Sequence, residues 1–311
     1  MSFRLALKPR KTLATMTAVG AAVVALTAAG VTPAAAASTP APVTQGARYL
    51  ALGDSIAFGF RESDAVQTPH YNRPSTFHGY PYLIAKNLGL RLTNAACPGE
   101  TAASFITAGK YDHGCSLQED ETSPGYRAAF PLHTHYTSPS ESQLQFAIAY
   151  LKKFPNTRLV TLQIGANDGL RCIELGNCPD LPSKVALAKR VQKRLNYILT
   201  ALTTKAGYHG QLVLVNYYSV NSASQDANTN SQLLNGAEGQ VASRFKNVTI
   251  ADSYARFASG SRNAPGNNTC AAGLETLLTD NVPPNGTCGI HPSLAGHALI
   301  ASAVERVVKK A

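Results

Sequence analysis

The hydrophobic positions of this chain form short runs that alternate with longer segments of helical periodicity. Five apolar or β-branched runs predict strands at residues 48–54, 90–96, 158–164, 211–217 and 247–252. Apolar residues at helical spacing predict helices at residues 80–88, 141–153, 183–205, 229–245 and 293–309. This alternation is typical of an α/β domain whose mainly parallel sheet is covered by helices on both faces.

Three long loops interrupt the pattern, at residues 59–78, 104–139 and 256–290. They are rich in Pro, Gly, Ser, Asn and His, and two of them contain cysteines. Loops of this length in a compact domain are usually functional or tied down. We therefore expect them to lie near the functional site.

The N-terminal segment has the composition of a secretory signal peptide. Basic residues up to Lys11 precede an Ala/Val/Leu stretch, which ends in a small-residue cleavage site at Ala37. A transmembrane anchor is the alternative, but the apolar run is short and is interrupted by Thr, Gly and Pro. We expect a signal peptide at 1–37, a Pro/Thr/Ala linker at 38–46 and one domain at 47–311. The protein is then secreted after cleavage near Ala37.

The charge distribution does not predict a nucleic-acid partner. Four of the 28 Lys and Arg residues and none of the 18 Asp and Glu residues lie in the leader, so the rest of the chain carries a net charge of +6. Its basic residues are scattered, mostly at helical spacing, which indicates a solvated face. No stretch after the leader is apolar enough to predict stable membrane insertion, and we expect a monomer.

All six cysteines lie in the part of the chain that would be exported. An even number of cysteines in a secreted protein indicates disulfides. Spacing alone leaves about fifteen connectivities open. A metal site is the competing interpretation, but no Cys-x-x-Cys pair and no matching histidine spacing is present, so no metal is predicted.

Two segments at opposite ends of the chain carry the parts of a serine hydrolase. Ser55 ends a Gly-Asp-Ser motif directly after the first apolar run, and His291 opens a His-Pro-Ser motif directly before the last predicted helix. A serine hydroxyl is a weak nucleophile until a base within hydrogen-bond reach takes its proton. The pair therefore predicts Ser55 as nucleophile and His291 as general base.

Two further segments predict an oxyanion hole. Gly99 follows the second apolar run in Cys-Pro-Gly-Glu, and Asn167 follows the third in Gly-Ala-Asn-Asp. In a doubly wound sheet, ligands bind outside the carboxyl ends of the strands, so these residues should meet Ser55 at one edge. The backbone N–H groups of Ser55 and Gly99 and the side-chain amide of Asn167 are the predicted donors.

These four blocks, in this order, resemble the SGNH or GDSL-type serine hydrolases, in particular their secreted bacterial esterase and lipase branch. The resemblance covers nearly all of the chain after the leader. It implies a flavodoxin-like three-layer α/β/α sandwich with a five-stranded mainly parallel sheet, and no cofactor. It also implies that His291, rather than His297, is the base. Neighbouring cysteines should pair, as Cys97–Cys115, Cys172–Cys178 and Cys270–Cys288.

The chain departs from the family pattern at the residue three positions before the histidine. The family has an aspartate there, and this chain has Cys288. We therefore predict a Ser-His dyad whose histidine is oriented by a main-chain carbonyl of Cys288 or Gly289. Asp168 and Asp280 are weaker candidates for the missing acid, and Asp168 is expected to support its loop.

The leading functional hypothesis is a secreted esterase or lipase that forms an acyl-enzyme on Ser55 and acts on a small-molecule or lipid ester. One alternative is a carbohydrate esterase that removes acetyl groups from a polysaccharide. The absence of Trp disfavours it slightly, because sugar sites often use aromatic platforms. From another class, a secreted non-catalytic binding protein of the same fold is the second alternative.

Overall fold

A five-stranded sheet forms the centre of the computed structural model, which describes residues 40–62, 70–278 and 287–311. Its strand order is β2-β1-β3-β4-β5, and every neighbouring pair is parallel. The strands are β1 (Arg48–Gly53), β2 (Arg91–Asn94), β3 (Thr157–Gln163), β4 (Gln211–Val215) and β5 (Val248–Ala251). This is the flavodoxin-like order, so the predicted fold class is confirmed.

The five predicted helices are present together with shorter ones that periodicity did not indicate. The helices are α1 (Ser55–Phe58), α2 (Tyr80–Leu88), α3 (Tyr126–Ala129), α4 (Gln143–Lys153), α5 (Ala166–Glu174), α6 (Leu181–Thr200), α7 (Gln225–Ala242), α8 (Ser253–Gly260) and α9 (Leu294–Val307). Helix α6 continues into a π-helical turn, Ala201–Lys205. Helices α1 and α3 have four residues each, too few to show a period.

Strand β1 shows how the sheet divides the core between two faces. Tyr49 and Ala51 belong to one buried cluster, and Leu50 and Leu52 belong to the other. Successive strand residues point to opposite faces, so one strand supplies both clusters. The first cluster includes side chains of α2, α8 and α9, and the second includes side chains of α4, α6 and α7. The result is the three-layer arrangement that the alternating pattern predicts.

A short antiparallel pair, β6 (Glu275–Leu277) and β7 (Cys288–Pro292), holds the segment before α9. Ser293 is the N-cap of α9, where its Oγ accepts a hydrogen bond from Gly296 N at 3.2 Å. The same hydroxyl donates to Gly273 O at 2.6 Å. His291 lies two residues before this cap, so its backbone is held from both sides.

The three disulfides connect neighbouring cysteines, which confirms the predicted pairing Cys97–Cys115, Cys172–Cys178 and Cys270–Cys288. Cys97–Cys115 ties the segment after β2 to the long loop that follows. Cys270–Cys288 tethers β7 three residues before His291. The long loops that carry these cysteines are therefore cross-linked next to the residues that the sequence singled out.

The described part of the predicted linker, residues 40–46, packs on the domain. Val43 is buried, its N–H donates to Lys309 O at 2.9 Å, and its carbonyl accepts from Ala311 N at 3.2 Å. The apolar side chain of Val43 gains from leaving water, which is why this part of the segment docks. Among the described residues, no helix combines the length and the apolar character that a membrane span requires.

Candidate active site

Strand β1 places Ser55 at the carboxyl edge of the sheet. Asp54 is the N-cap of α1, and one of its carboxylate oxygens accepts from Ile56 N at 3.0 Å. The other oxygen accepts from the hydroxyl of Tyr217. Burial raises the pKa of Asp54 to about 6. The Asp54 carboxylate is thus occupied in forming the turn that carries Ser55.

The structure brings Ser55 and His291 together across 236 residues of chain. His291 Nε2 lies 2.8 Å from Ser55 Oγ. This distance is within the range of an O–H···N hydrogen bond and fits proton transfer from the hydroxyl to the ring. Both side chains also line one cavity beside the sheet edge.

The partner of the second ring nitrogen of His291 differs from the one that the sequence predicted. His291 Nδ1 lies 2.7 Å from Glu62 Oε1, so the prediction that a main-chain carbonyl of Cys288 or Gly289 orients the ring is wrong. Glu62 is seven residues after Ser55, in the loop that leaves α1. Because an ionised carboxylate only accepts hydrogen bonds, Nδ1 carries the proton and Nε2 is left to accept from Ser55. Ser55, His291 and Glu62 therefore have the hydrogen-bonded geometry of a Ser-His-acid triad.

Three neighbours hold Glu62 and the ring in this geometry. Ile290 N donates to Glu62 Oε1 at 3.0 Å, so one oxygen accepts two hydrogen bonds. The ring of Phe60 meets the His291 ring edge to face, with centroids 4.8 Å apart. A Cβ on Gly289 would lie 2.2 Å from Glu62 Cδ. The carboxylate therefore occupies space that only glycine leaves open at position 289.

The electrostatics of Glu62 favour its charged form. Burial alone would raise its pKa, but the hydrogen bond from His291 and the positive charge of that ring outweigh the burial. The pKa of Glu62 consequently lies below its ordinary value. The carboxylate is available as an anion beside Nδ1 in neutral solution.

Gly99 lies in a tightly packed turn after β2. Cys97 N donates to Gly53 O at 3.1 Å, which keeps this turn beside the end of β1. The φ angle of Gly99 is +80°, and a Cβ there would lie 2.5 Å from His113 O. Both facts require glycine. Within the described chain, no protein group accepts a hydrogen bond from the N–H of Gly99 or Ser55.

Asn167, the second residue of α5, has its amide held from two sides. Its Nδ2 donates to Glu100 O at 3.0 Å, and its Oδ1 lies 3.2 Å from His113 Nδ1. Within the part of the chain that the structure describes, Glu100 O is the one acceptor for Nδ2, so its second hydrogen is left for a ligand. The His113 ring is mostly buried between Asn167 and Glu174, with its Nε2 2.8 Å from Glu174 Oε2.

Gln143 connects the turns that carry Ser55 and Gly99. Its side-chain amide accepts from Gly53 N at 2.6 Å, donates to Gly53 O at 3.0 Å and donates to Glu100 Oε2 at 3.0 Å. Burial and the nearby Asp112 charge raise the pKa of Glu100 to about 8. Sequence reasoning missed both residues, because nothing local distinguishes Gln143 from any other residue in the first turn of a helix.

The residues that were weighed against the main candidates have other partners. Asp168 accepts from Ala102 N and from Arg194 Nη1, each at 2.6 Å, so it supports its loop as expected. His297 Nδ1 accepts from Tyr80 N at 3.2 Å. Burial lowers the pKa of His297 to about 3, which fits a structural role for this ring. Asp280 lies outside the described residues.

Three groups of described side chains have the spacing of possible metal ligands. Two of them contain cysteines that are used up in the Cys97–Cys115 and Cys270–Cys288 disulfides, and the third combines a histidine with two carboxylates. His113, Glu119 and Glu174 place a nitrogen and two carboxylate oxygens within 4.8 Å of one another. His113 Nε2 lies 2.8 Å from Glu174 and 3.3 Å from Glu119. These contacts already satisfy the ring nitrogen, so the geometry is explained by pairing between the side chains.

Comparison with known proteins shows the family. The sequence profile of the GDSL-like Lipase/Acylhydrolase family matches residues 51–299. The chain belongs to this family, and it is a carboxylic ester hydrolase. This finding sets aside the non-catalytic binding protein. A search of curated proteins finds no match.

Solved structures share the fold at low sequence identity. A catalytic mutant of Axe2, an acetylxylan esterase from Geobacillus stearothermophilus, has a TM-score of 0.51 at 18% identity, covering 87% of this chain and 98% of that one. The lipase Lip_vut3 from a goat rumen metagenome has a TM-score of 0.50 at 15% identity, covering 85% of this chain and 98% of that one. At these identities the likeness establishes the fold alone.

Proposed function

We propose that the protein is an exported serine esterase in which Ser55, His291 and Glu62 form the catalytic triad. The observation that carries the proposal is the continuous hydrogen-bonded line from Ser55 Oγ through the His291 ring to Glu62, with distances of 2.8 and 2.7 Å. This arrangement of nucleophile, base and orienting acid is recognised by geometry and does not depend on the order of the residues in the chain.

In the first half of the reaction, Ser55 Oγ attacks the ester carbonyl carbon while His291 Nε2 takes the hydroxyl proton. The tetrahedral intermediate places its negative oxygen toward the N–H groups of Ser55 and Gly99 and the free Nδ2 hydrogen of Asn167. One such donor contributes about 3 to 4 kcal/mol to transition-state stabilisation. His291 then gives the proton to the departing alcohol, and the acyl group remains on Ser55.

In the second half, a water molecule attacks the acyl-enzyme and His291 again acts as base. The carboxylic acid leaves, and Ser55 recovers its proton. Glu62 assists both halves, because its negative charge stabilises the imidazolium that forms each time the ring takes a proton. Glu62 stays ionised for this role, since its pKa lies below the ordinary value.

A fluorophosphonate probe tests the nucleophile. The Ser55 oxygen should bond to phosphorus and release fluoride, which gives one stoichiometric adduct per chain. Peptide mass spectrometry should locate the adduct on Ser55, and the Ser55→Ala variant should remain unlabelled. An adduct on another serine, or no adduct on folded wild-type protein that hydrolyses p-nitrophenyl esters, would contradict the assignment.

Export is the second part of the proposal. The leader-like composition of 1–37 supports it, and so do the three disulfides, because such bonds persist mainly in oxidising compartments. When a Gram-positive host expresses the full chain, protein from the medium should begin near Ser38 by N-terminal sequencing. Recovery only inside the cells, with Met1 retained, would contradict export.

A further inference from the structure

A cavity of about 380 Å³ adjoins Ser55 and extends between helices α5, α6 and α7. Ser55, Asn167 and His291 line it, together with Lys184 and Asp226 from the first turns of α6 and α7. Its volume is in the range of small-molecule sites. The part of the substrate next to the reacting carbonyl can therefore enter the helical layer.

The wall of this helical cavity is mainly aliphatic. Side chains from all three helices contribute, among them Leu170, Leu187, Val191 and Leu234. Apolar side chains also remain in water around the cavity: Ile173 is 48% exposed, Val220 is 42% exposed and Ile290 is 40% exposed. Contiguous exposed apolar side chains next to a site indicate a surface that binds apolar ligands.

The polar side chains of the wall are already bonded to the protein. The hydroxyl of Tyr218 donates to Ile290 O at 2.6 Å, and Ser231 Oγ donates to Tyr218 O at 2.9 Å. Lys184 and Asp226 form an ion pair at 2.5 Å. A sugar hydroxyl that entered the aliphatic part of the wall, beside Leu187, Val191 and Leu234, would lose water without gaining a partner there, which is costly. An aliphatic chain makes no hydrogen bonds to water that it could lose, and its burial is favourable.

We infer that the helical cavity binds the acyl chain of the substrate, so that the enzyme prefers esters of medium and long straight-chain fatty acids to acetyl esters. The inference rests on the proposed function of Ser55. The acyl group, rather than the alcohol, occupies the cavity because it stays covalently attached to Ser55 after the alcohol has left. A pocket adjoining Ser55 stabilises this group through both halves of the reaction.

A series of p-nitrophenyl esters tests the inference. Each buried methylene should raise kcat/KM by up to about fourfold, equivalent to about 0.8 kcal/mol. We expect kcat/KM for the octanoate to exceed that for the acetate by at least about 100-fold. Ala188→Phe places a ring into the cavity from α6 and should lower kcat/KM for the octanoate at least about tenfold more than for the acetate.

Ala186→Phe is the matched control, because Ala186 is exposed on the same helix and does not line the cavity. Ala186→Phe should leave kcat/KM unchanged for both the acetate and the octanoate. Should Ala188→Phe fail to fold by circular dichroism, Ala227→Phe fills the cavity from α7 and is judged by the same criterion.

The other outcomes separate this inference from the proposed function. Equal kcat/KM for acetate and octanoate, equal losses in Ala188→Phe, or a preference for acetylated xylan would overturn the acyl-chain assignment. So would a dependence on alcohol length in alkyl acetates that Ala188→Phe removes. If wild-type protein neither hydrolyses the acetate nor takes up the fluorophosphonate, the role of Ser55 itself fails.

Discussion

Ser55→Ala is expected to lower kcat for ester hydrolysis by on the order of 10⁶-fold, and His291→Ala by a similar factor. The serine supplies the bond-forming oxygen, and the histidine is the group within reach that can take its proton. Because the two side chains act as one unit, the double variant should be no slower than either single variant. Steady-state kinetics with the best ester of the acyl series measure all three.

His297→Gln is the matched control for the histidine. This ring is also buried, but it accepts from Tyr80 N and does not touch Ser55. We expect the variant to keep kcat for the folded fraction and to lower the unfolding temperature. Additive losses in the double variant, or a larger kcat loss in His297→Gln than in His291→Ala, would refute the assigned base.

Glu62→Gln should lower kcat by on the order of 10³ to 10⁴-fold while the protein stays folded. The amide keeps the size of the side chain, but it removes the negative charge that stabilises the imidazolium, and it can present a donor to Nδ1. Asp168→Asn is the control carboxylate, because Asp168 bonds Ala102 and Arg194 and should leave most turnover in place. If kcat of the Glu62→Gln variant lay within tenfold of the wild-type value, the catalytic unit would be a Ser55–His291 dyad that does not depend on Glu62.

Gly289→Ala tests the position of Glu62 without changing the acid. The new Cβ would lie 2.2 Å from Glu62 Cδ, so the carboxylate must move away from His291. The decrease in kcat caused by Gly289→Ala should therefore approach the decrease caused by Glu62→Gln. In a Glu62→Ala background the same change should cost almost nothing, because the clash is gone. Gly236→Ala, where a Cβ meets nothing within 4 Å, should be neutral. Equal losses in both backgrounds would assign Gly289 a role independent of Glu62.

The strands and main helices could be predicted because their signals are local. A run such as Leu50 to Leu52 marks a strand by its apolar content, and Ser293 marks a helix start by its capping hydroxyl. Parallel strands end at one edge, so Ser55 and Asn167 could be brought together without a structure. The disulfide pairing was also correct, although it came from the family resemblance and not from spacing.

The orienting acid could not be predicted, and the reason is geometric. A carboxylate three residues before His291 would be a local feature, whereas Glu62 reaches the ring across 229 residues. Its position depends on the path of the loop after α1 and on the space that Gly289 leaves open. Neither periodicity nor composition carries information about how an irregular loop returns to the sheet edge.

By itself, the sequence determined the layer architecture, the nucleophile candidate and the histidine that faces it, because each depends on residues close to one another in the chain or on the common edge of parallel strands. Only the tertiary structure decided the partner of His291 Nδ1 and the hydrogen bonds by which Gln143 connects the Ser55 and Gly99 turns. The same is true of the hydrogen bond between His113 Nδ1 and Asn167 Oδ1. Those contacts join side chains from separate loops and helices, and the packing of whole elements determines which of them meet.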